Sequence, residues 1–302
     1  MLCEEDDTAM HSDPTGPASA REPGDDELDL FGLTHIGKTR RENQDHFLIA
    51  SVHKQTHLIR SSLPDAQRRP LDQERLALVA MVADGVGSGE GELASRAALE
   101  RGMEYVAHTL RCYYGSDAHA EAFTSALQEA VLACDEEVRK RAEAEGTAGK
   151  AATTLTLLMA VWPWIYVVQV GDSRYYLYRE GRLRQITRDQ TVAQDLFDAG
   201  VLTRSGVIRS PFAHVLSSAV GGQTATPAPV VSRLPAEGGV HLLCSDGLTK
   251  HVSDDAIAER LRTMTSSEQV CEALLQDALD GGGEDNITVV VGRRRPAAVA
   301  AR

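Results

Sequence analysis

Three aspartates stand beside strongly apolar segments, where a fold can bring their carboxylates together. Asp84 follows the run LALVAMVA, Asp246 follows VHLLCS, and Asp285 comes just before ITVVVG. In an antiparallel sheet the end of one strand lies beside the start of its neighbour, so we expect Asp246 and Asp285 at one sheet edge. An Asp-Gly dipeptide alone, such as Asp280-Gly281, is typical of a tight turn. The prediction therefore depends on the strands beside the aspartates.

Carboxylates that gather at one edge need a counter-charge. Two of them about 5 Å apart repel by roughly 3 kcal/mol at an effective dielectric constant of about 20. Hard divalent cations accept several oxygen ligands at once, and carboxylate, carbonyl and water ligands favour Mg²⁺ or Mn²⁺ over Zn²⁺. Gly85 fits such a site, because a residue without a Cβ lets its carbonyl oxygen approach a cation closely.

The segment GKTRRENQDHF, residues 37–47, adds an arginine and a further aspartate. The guanidinium of Arg40 is suited to phosphate, because its planar fork makes two charge-assisted hydrogen bonds. Arg40 and Asp45 are five residues apart and lie on opposite sides of an unbroken strand, so a bend or bulge is needed to bring both to one site. The alternative is that TRRE forms a solvated charged loop.

The elements that must position these residues are strands in groups, with helices between the groups. The segment TLTLLMAVWPWIYVVQVGDS, residues 154–173, is predicted to form two strands joined at Pro163, and the runs beside Asp84, Asp246 and Asp285 are predicted to be buried strands. Apolar spacing predicts helices at 92–110, 118–145, 254–264 and 267–279, with Ser253 as an N-cap. Because strict βα alternation is absent, we predict an α+β fold of antiparallel sheets with helices outside.

The acidic charge of the chain is concentrated at its N-terminal end. The formal charge is −13, and residues 1–29 carry −9 of it, from ten acidic residues and Arg21. This stretch has few apolar residues to bury and is predicted to be a disordered acidic tail. We expect one folded domain over residues 30–293 and a short C-terminal tail over 294–302. The rest of the chain carries −4 and has no basic stripe, so nucleic acid and anionic membrane surfaces are not expected partners.

The cysteines and apolar runs favour a cytoplasmic protein. Five cysteines are odd in number, widely spaced and without a C-x-x-C pair, which argues against a disulfide framework and a thiolate zinc site. The run 155–170 is interrupted by Pro163 and Gln169, and the start MLCEEDD lacks the pattern of a secretory signal. We therefore predict no membrane span.

Seven segments, in this order, resemble the metal-dependent protein phosphatases of type 2C, and more closely the bacterial members of that family. They are GKTRRENQD (37–45), VADGVGSGEGELAS (82–95), ATTL (152–155), VGDSRYYLYREGRLRQITRD (170–189), LSSAVGG (216–222), LLCSDGL (242–248) and EDNITVVV (284–291). The segments cover almost the whole predicted phosphatase domain. Seven segments in the family's order are a far more specific signal than any one segment alone.

The resemblance implies a sandwich of two antiparallel β-sheets flanked by α-helices, with metal ions in a cleft at one end. Asp84 would bridge two metal ions, with the carbonyl oxygen of Gly85 on one of them. Asp246 and Asp285 would bind the other ion. Asp45 would hold metal-bound water molecules from behind the ligands.

The resemblance also implies roles for three further parts of the chain. Arg40 would bind the substrate phosphate, and residues 189–215 would form a mobile flap beside the cleft. Asp172, together with Asp246, would support a third and weaker metal ion, although between Gly171 and Ser173 it also fits an ordinary turn.

The expected activity is hydrolysis of phosphoserine and phosphothreonine in proteins, with Mn²⁺ or Mg²⁺, by in-line attack of a metal-bridging hydroxide. Expected partners are phosphoproteins and a cognate serine/threonine kinase with its substrates, in bacterial cytoplasmic signalling by a monomer. Val86 stands where eukaryotic relatives carry a histidine proposed as general acid, so leaving-group protonation is assigned to metal-bound water. Gln190 stands where histidine is frequent, which affects the flap rather than the chemistry.

Two other functions are compatible with parts of the pattern. A catalytically inactive relative would bind phosphoproteins without hydrolysing them, but the aspartates and Arg40 are all present. A phosphodiesterase or nuclease would use the same two-metal chemistry, and the lack of a basic surface argues against it.

Overall fold

Two antiparallel sheets lie face to face, with helices on the outer face of each, in the computed structural model. It describes residues 21–54, 74–87, 89–108, 120–222, 226–236 and 238–295. The strands are β1 (Leu28–His35), β2 (Asp45–Lys54), β3 (Glu74–Val86), β4 (Ala152–Thr153), β5 (Leu155–Val161), β6 (Trp164–Val170), β7 (Arg174–Arg179), β8 (Arg182–Gln185), β9 (Val230–Pro235), β10 (Val240–Cys244) and β11 (Ile287–Arg294). The helices are α1 (Gly91–His108), α2 (Ala120–Ala144), α3 (Val192–Asp198), α4 (Arg204–Arg209), α5 (Asp246–Thr249), α6 (Asp254–Arg262) and α7 (Ser267–Asp280).

The strand order confirms the predicted α+β sandwich. One sheet has the order β1-β11-β10-β7-β8, and the other has β2-β3-β5-β6-β9 with β4 paired to β3. Neighbouring strands are antiparallel throughout the described residues. The two predicted strands around Pro163 are β5 and β6, paired from Leu155 opposite Val170 to Val161 opposite Trp164.

The continuous apolar run of β3 is explained by burial of both strand faces. Val79, Met81 and Ala83 belong to the core cluster shared with α1 and α2. Ala80 and Val82 alternate with them and pack in the cluster between the two sheets. Successive side chains of a strand point to opposite faces, so a strand covered on both sides is apolar at every position.

The four predicted helices are present as α1, α2, α6 and α7, with ends within two residues of the prediction. Ser253 caps α6, because its side chain accepts a hydrogen bond from the Ala256 backbone N–H. Three short helices were not predicted: α3 and α4 lie in the segment assigned to the flap, and α5 begins at Asp246 itself. Apolar periodicity needs more residues than these helices contain.

The outermost strands extend slightly past both predicted ends of the domain. The strand β1 begins at Leu28, two residues before the expected boundary, and pairs there with Arg294 of β11. Asp29 was assigned to the acidic tail, but it accepts hydrogen bonds from the backbone of Ser267 and from Arg293. With these partners, Asp29 is part of the edge strand and not of an acidic tail. The predicted tails otherwise fall on residues 1–20 and 296–302, which lie outside the described residues.

Among the described helices, none combines the length and the apolar character that a membrane span requires.

Candidate metal centre

Four of the predicted aspartates meet at one end of the sandwich because the strands that carry them are antiparallel neighbours. Asp45 and Asp84 are direct register partners at the start of β2 and the end of β3. In the other sheet, the pairing of β10 with β11 ends at Cys244 opposite Val289, which places Asp246 and Asp285 at the same edge, as predicted. The carboxylates of the two sheets thereby come close enough for the charges of Asp246 and Asp285 to act on Asp84.

Burial and mutual repulsion disfavour the ionised form of these carboxylates. Burial, and then the charges of Asp45 and Asp246, raise the pKa of Asp84 well above its usual value. Burial is also the main cause that raises the pKa of Asp45 to about 6 and that of Asp172 to about 8. In each case the charge of Asp246 adds to the effect. The group thus has more negative charge than its protein surroundings stabilise.

Lys250 supplies positive charge at the centre and was not predicted. Its Nζ lies 2.6 Å from Oδ2 of Asp246 and 2.7 Å from Oδ2 of Asp285. Arg40 contacts Asp285 as well, with 2.7 Å between its Nε and Oδ1. Burial opposes ionisation of Asp285, but the hydrogen bonds from Arg40 and Lys250 hold its pKa below the usual value. A spacing of four residues after Asp246, on a short helix, is the sequence signal that could have identified Lys250.

Two carboxylate oxygens of the centre are buried without a hydrogen-bond partner among the described residues. They are Oδ1 of Asp45 and Oδ1 of Asp246. The other oxygen of Asp45 accepts a hydrogen bond of 2.8 Å from the hydroxyl of Thr288. Buried polar atoms are normally paired, so such oxygens favour a cation or an ordered water as the missing partner. This donor set fits Mg²⁺ or Mn²⁺, which prefer carboxylate oxygens.

Asp172 lies beside Asp246 on the side of the cleft that faces α3 and α4. One ligand atom each of Asp172, His214 and Asp246 lie within 4.8 Å of one another, a spacing that could hold a metal ion. The side chain of His214 is 64% exposed, and its Nδ1 is 3.8 Å from Asp246. His214 was not predicted, and no spacing in the sequence links it to the aspartates.

The backbone of Asp84 is held by two threonines from the segment ATTL. The Asp84 carbonyl accepts hydrogen bonds of 2.9 Å from the hydroxyl of Thr153 and from the backbone N–H of Thr154. The Asp84 N–H donates to the hydroxyl of Thr154 over 3.0 Å. These bonds fix the position of the Asp84 carboxylate without using its oxygens. No role was predicted for these two threonines.

Arg40 reaches the centre from a loop rather than from a strand. The strand β2 begins at Asp45, so Arg40 lies in the loop before it. No unbroken strand joins the two residues, and they need not lie on opposite sides of one. Asn286 holds this loop: its side chain donates to the carbonyls of Ile36 and Glu42, at 3.0 and 2.9 Å, and accepts from the backbone N–H of Gln44. The loop is thereby attached to the start of β11, next to Asp285.

Close backbone packing requires glycine at position 85. A Cβ there would overlap with the carbonyl group of Gly91 and the carbonyl oxygen of Gln44. The Gly85 N–H also donates to that Gln44 oxygen over 3.1 Å. The expected contact of the Gly85 carbonyl with a cation stays a prediction, and the packing is a second reason for the glycine.

The cleft beside the carboxylates has a volume of about 630 Å³. Its lining includes the charged residues Arg40, Asp172 and Lys250 and the apolar residues Val207 and Ile208 of α4. A cavity of this size, lined by both charged and apolar groups, is within the range of ligand-binding sites.

The sequence is similar to a known family over most of its length. The family described as protein phosphatase 2C matches residues 64–281. The serine/threonine protein phosphatase PstP of Mycobacterium tuberculosis is 36% identical over 211 residues, which are 70% of this chain and 39% of PstP. The serine/threonine phosphatase stp of Listeria innocua is 28% identical over 219 residues, 72% of this chain and 84% of that protein. The chain thus spans well under half the length of PstP.

The fold is similar to a solved catalytic domain. The structure of the catalytic domain of PstP in complex with two manganese ions superposes with a TM-score of 0.67 at 29% sequence identity. The superposition covers 89% of this chain and 99% of that domain.

Proposed function

Because the chain belongs to the protein phosphatase 2C family, we propose that it hydrolyses phosphoserine and phosphothreonine in proteins. The observation that carries the proposal is the group of aspartates at the end of the sandwich, with two buried oxygens that have no partner among the described residues. Arg40 at the rim of the same cleft is a cation that a phosphate can contact.

We assign two Mn²⁺ or Mg²⁺ ions to Asp84, the carbonyl of Gly85, Asp246 and Asp285. A third, weaker site at Asp172 and Asp246 is part of the same proposal. The two manganese ions of the PstP catalytic domain support the first assignment, and the spacing of Asp172 from Asp246 supports the second. When bound, the ions lower the pKa of a water molecule and screen the charge of the phosphoryl oxygens.

The side chains around these ligands orient the reactants. Arg40 is 54% exposed and its guanidinium is fixed by Asp285 at the rim, so it can donate hydrogen bonds to an incoming phosphate. Asp45 accepts from Thr288 with one oxygen and keeps the other for a water molecule, which it orients toward the phosphorus. Holding both reactants in place removes much of the entropic barrier to in-line attack.

One set of assays tests this function. Turnover of p-nitrophenyl phosphate and of a phosphothreonine peptide should require Mn²⁺ or Mg²⁺, stop with excess chelator and return when metal is added back. Asp84→Asn should reduce turnover by more than the roughly 10- to 100-fold typical of changes behind the metal ligands. Asp280→Asn is a matched control, because Asp280 also precedes a glycine but ends α7 on the surface.

Three outcomes would contradict the proposal. Full turnover in chelator, after metal removal is verified by elemental analysis, would exclude metal dependence. Binding of the phosphopeptide without hydrolysis would identify an inactive relative. Faster hydrolysis of DNA than of the phosphopeptide would identify a nuclease.

We further propose that the protein acts as a monomer in bacterial cytoplasmic signalling, opposite a cognate serine/threonine kinase. Cys134, Cys244 and Cys271 are buried free thiols, which supports a reducing compartment. Comparing the phosphoproteome of cells with and without the protein would identify the substrates, and cell fractionation would test the location.

A further inference from the structure

A second cavity lies between the two sheets, at the end of the sandwich away from the carboxylates. Its volume is about 300 Å³, which is roughly the space of ten water molecules. Aliphatic side chains of both sheets form its walls, among them Ile49, Leu78 and Leu158 from one sheet and Leu243 and Val290 from the other. A cavity of this size and lining is at the lower end of the range for small-molecule sites.

The cavity is separate from the metal centre, although the same strands form both. Leu78 and Asp84 are both on β3, six residues apart, which is roughly 20 Å along a strand. Val82 and other residues of the inter-sheet core lie between the two. Occupation of the cavity therefore does not require contact with the carboxylates.

His241 adds an imidazole to the apolar layer between the sheets. Along β10, Leu242 and Cys244 pack toward the outer helices, whereas Leu243 packs between the sheets. Alternation places His241 on the same face as Leu243, and its ring forms part of the cavity wall. An aliphatic residue there would fill the core, so the imidazole needs a specific explanation.

The hydrogen bond of His241 with Tyr175 determines which nitrogen is left for a ligand. The hydroxyl of the fully buried Tyr175 lies 2.8 Å from Nδ1 of His241, and the phenol has no other partner among the described residues. A buried hydroxyl that did not donate would lose a hydrogen bond, so Tyr175 donates and Nδ1 accepts. Burial lowers the pKa of His241 to about 4, so the ring is neutral near pH 7 and carries its proton on Nε2.

Charged residues at the mouth of the cavity are already paired with one another. Arg75 forms ion pairs with Glu22 and Asp25, and Arg293 forms one with Asp29. A charged ligand would have to compete with these pairs, whereas a neutral one would not.

We propose that this cavity binds a small neutral molecule that is mainly aliphatic and carries one hydrogen-bond acceptor, such as a carbonyl oxygen, which contacts Nε2–H of His241. The aliphatic walls remove the body of the molecule from water, and the imidazole donor fixes its orientation.

A pair of probes of the same shape tests the proposal on the full chain. Cyclohexanone has a carbonyl acceptor, and methylenecyclohexane has a carbon in its place. Methyl NMR spectra should show saturable shifts at Ile165, Leu243 and Val290 with both probes. Cyclohexanone should bind about 2- to 10-fold more tightly, which is the effect of one neutral hydrogen bond. The ¹⁵N resonance of His241 Nε2 should move with cyclohexanone and stay in place with methylenecyclohexane.

Three variants show whether the cavity and its donor are responsible. His241→Phe keeps a ring but removes the donor, so the preference for cyclohexanone should vanish. Ala160→Leu fills the cavity and should abolish binding of both probes. His108→Gln, at the exposed end of α1, should bind both probes as the unchanged protein does.

Two results would overturn the proposal. One is the absence of saturable shifts in the unchanged protein up to the solubility of the probes. The other is a preference for cyclohexanone that survives in His241→Phe. If that variant does not fold, the unchanged protein provides the test. A ¹⁵N resonance of His241 Nε2 that does not move with cyclohexanone would then overturn the proposal.

Discussion

At the scale of single residues, the metal centre contains more negative than positive charge. In the described part of the chain, the arginine and lysine side chains that form ion pairs with its carboxylates are Arg40 and Lys250. The aspartates are five: Asp45, Asp84, Asp172, Asp246 and Asp285. Burial and the charges of the neighbouring carboxylates raise the pKa of Asp84, and a divalent cation would offset that repulsion. We therefore expect Lys250 to compete with a bound metal ion for the oxygens of Asp246 and Asp285.

Replacing Lys250 by Met should strengthen metal binding. Two unit charges about 4 Å apart interact by about 4 kcal/mol at an effective dielectric constant of about 20, so removing the ammonium should tighten Mn²⁺ binding by at least about tenfold after screening. Calorimetric titration with Mn²⁺ measures the change directly. Lys140→Met, on α2 and exposed, is the control for a lysine outside the centre. Equal or weaker Mn²⁺ binding by Lys250→Met would show that the ammonium supports the ligand geometry instead.

At the scale of elements, strand ends and loops determine which residues meet. The start of β11 is the main attachment point, since Asp285 contacts Arg40 while the adjacent Asn286 holds the backbone of the Arg40 loop. In the other sheet, β4 and the start of β5 hold the end of β3 through Thr153 and Thr154. The positions of Arg40 and of the Asp84 carboxylate thus depend on these two strand junctions.

Asn286→Ala should displace the loop that carries Arg40. The substitution removes three hydrogen bonds, so we expect a loss of roughly 1–3 kcal/mol in the free energy of unfolding, measured in urea. Inhibition by free phosphate should weaken in the same variant, because Arg40 is no longer held. In an Arg40→Ala background, Asn286→Ala should leave phosphate inhibition unchanged. A further weakening of phosphate inhibition in that background would mean that Asn286 affects the site other than through Arg40.

At the scale of the whole molecule, the N-terminal segment of the described chain closes one end of the sandwich. Arg75 of β3 is only 9% exposed at its side chain and pairs with Glu22 and Asp25. It also donates to the backbone carbonyl of Pro23. Residues 21–27, which were predicted to be part of a disordered tail, thus provide the partners of a buried cation.

Two deletions separate the described segment from the residues before it. Deleting residues 1–20 should leave both the melting temperature and the turnover of p-nitrophenyl phosphate nearly unchanged. Deleting residues 1–27 should lower the free energy of unfolding by roughly 1–3 kcal/mol, because Arg75 loses its hydrogen-bond partners. Thermal denaturation of the two proteins side by side makes the comparison. Identical stability would show that water replaces Glu22 and Asp25 at no cost.

The sequence alone determined the elements and the type of chemistry. Apolar runs, helical spacing and the cap at Ser253 are local signals, so β3, α1, α2, α6 and α7 could be predicted from short windows. Asp246 and Asp285 could be placed at one sheet edge because each lies next to a recognisable strand and antiparallel pairing follows a simple rule. Asp84, which lies in the other sheet, was placed with them by the family resemblance.

Only the tertiary structure decided which side chains complete the sites. Arg40 and Asp285 are separated by 245 positions in the chain, and Tyr175 and His241 by 66, so no local pattern relates them. The contribution of Lys250 depends on how α5 leaves β10. Such contacts are set by the register of strands and by the packing of two sheets. A shift of one residue would turn His241 away from the cavity, because side-chain direction alternates along a strand.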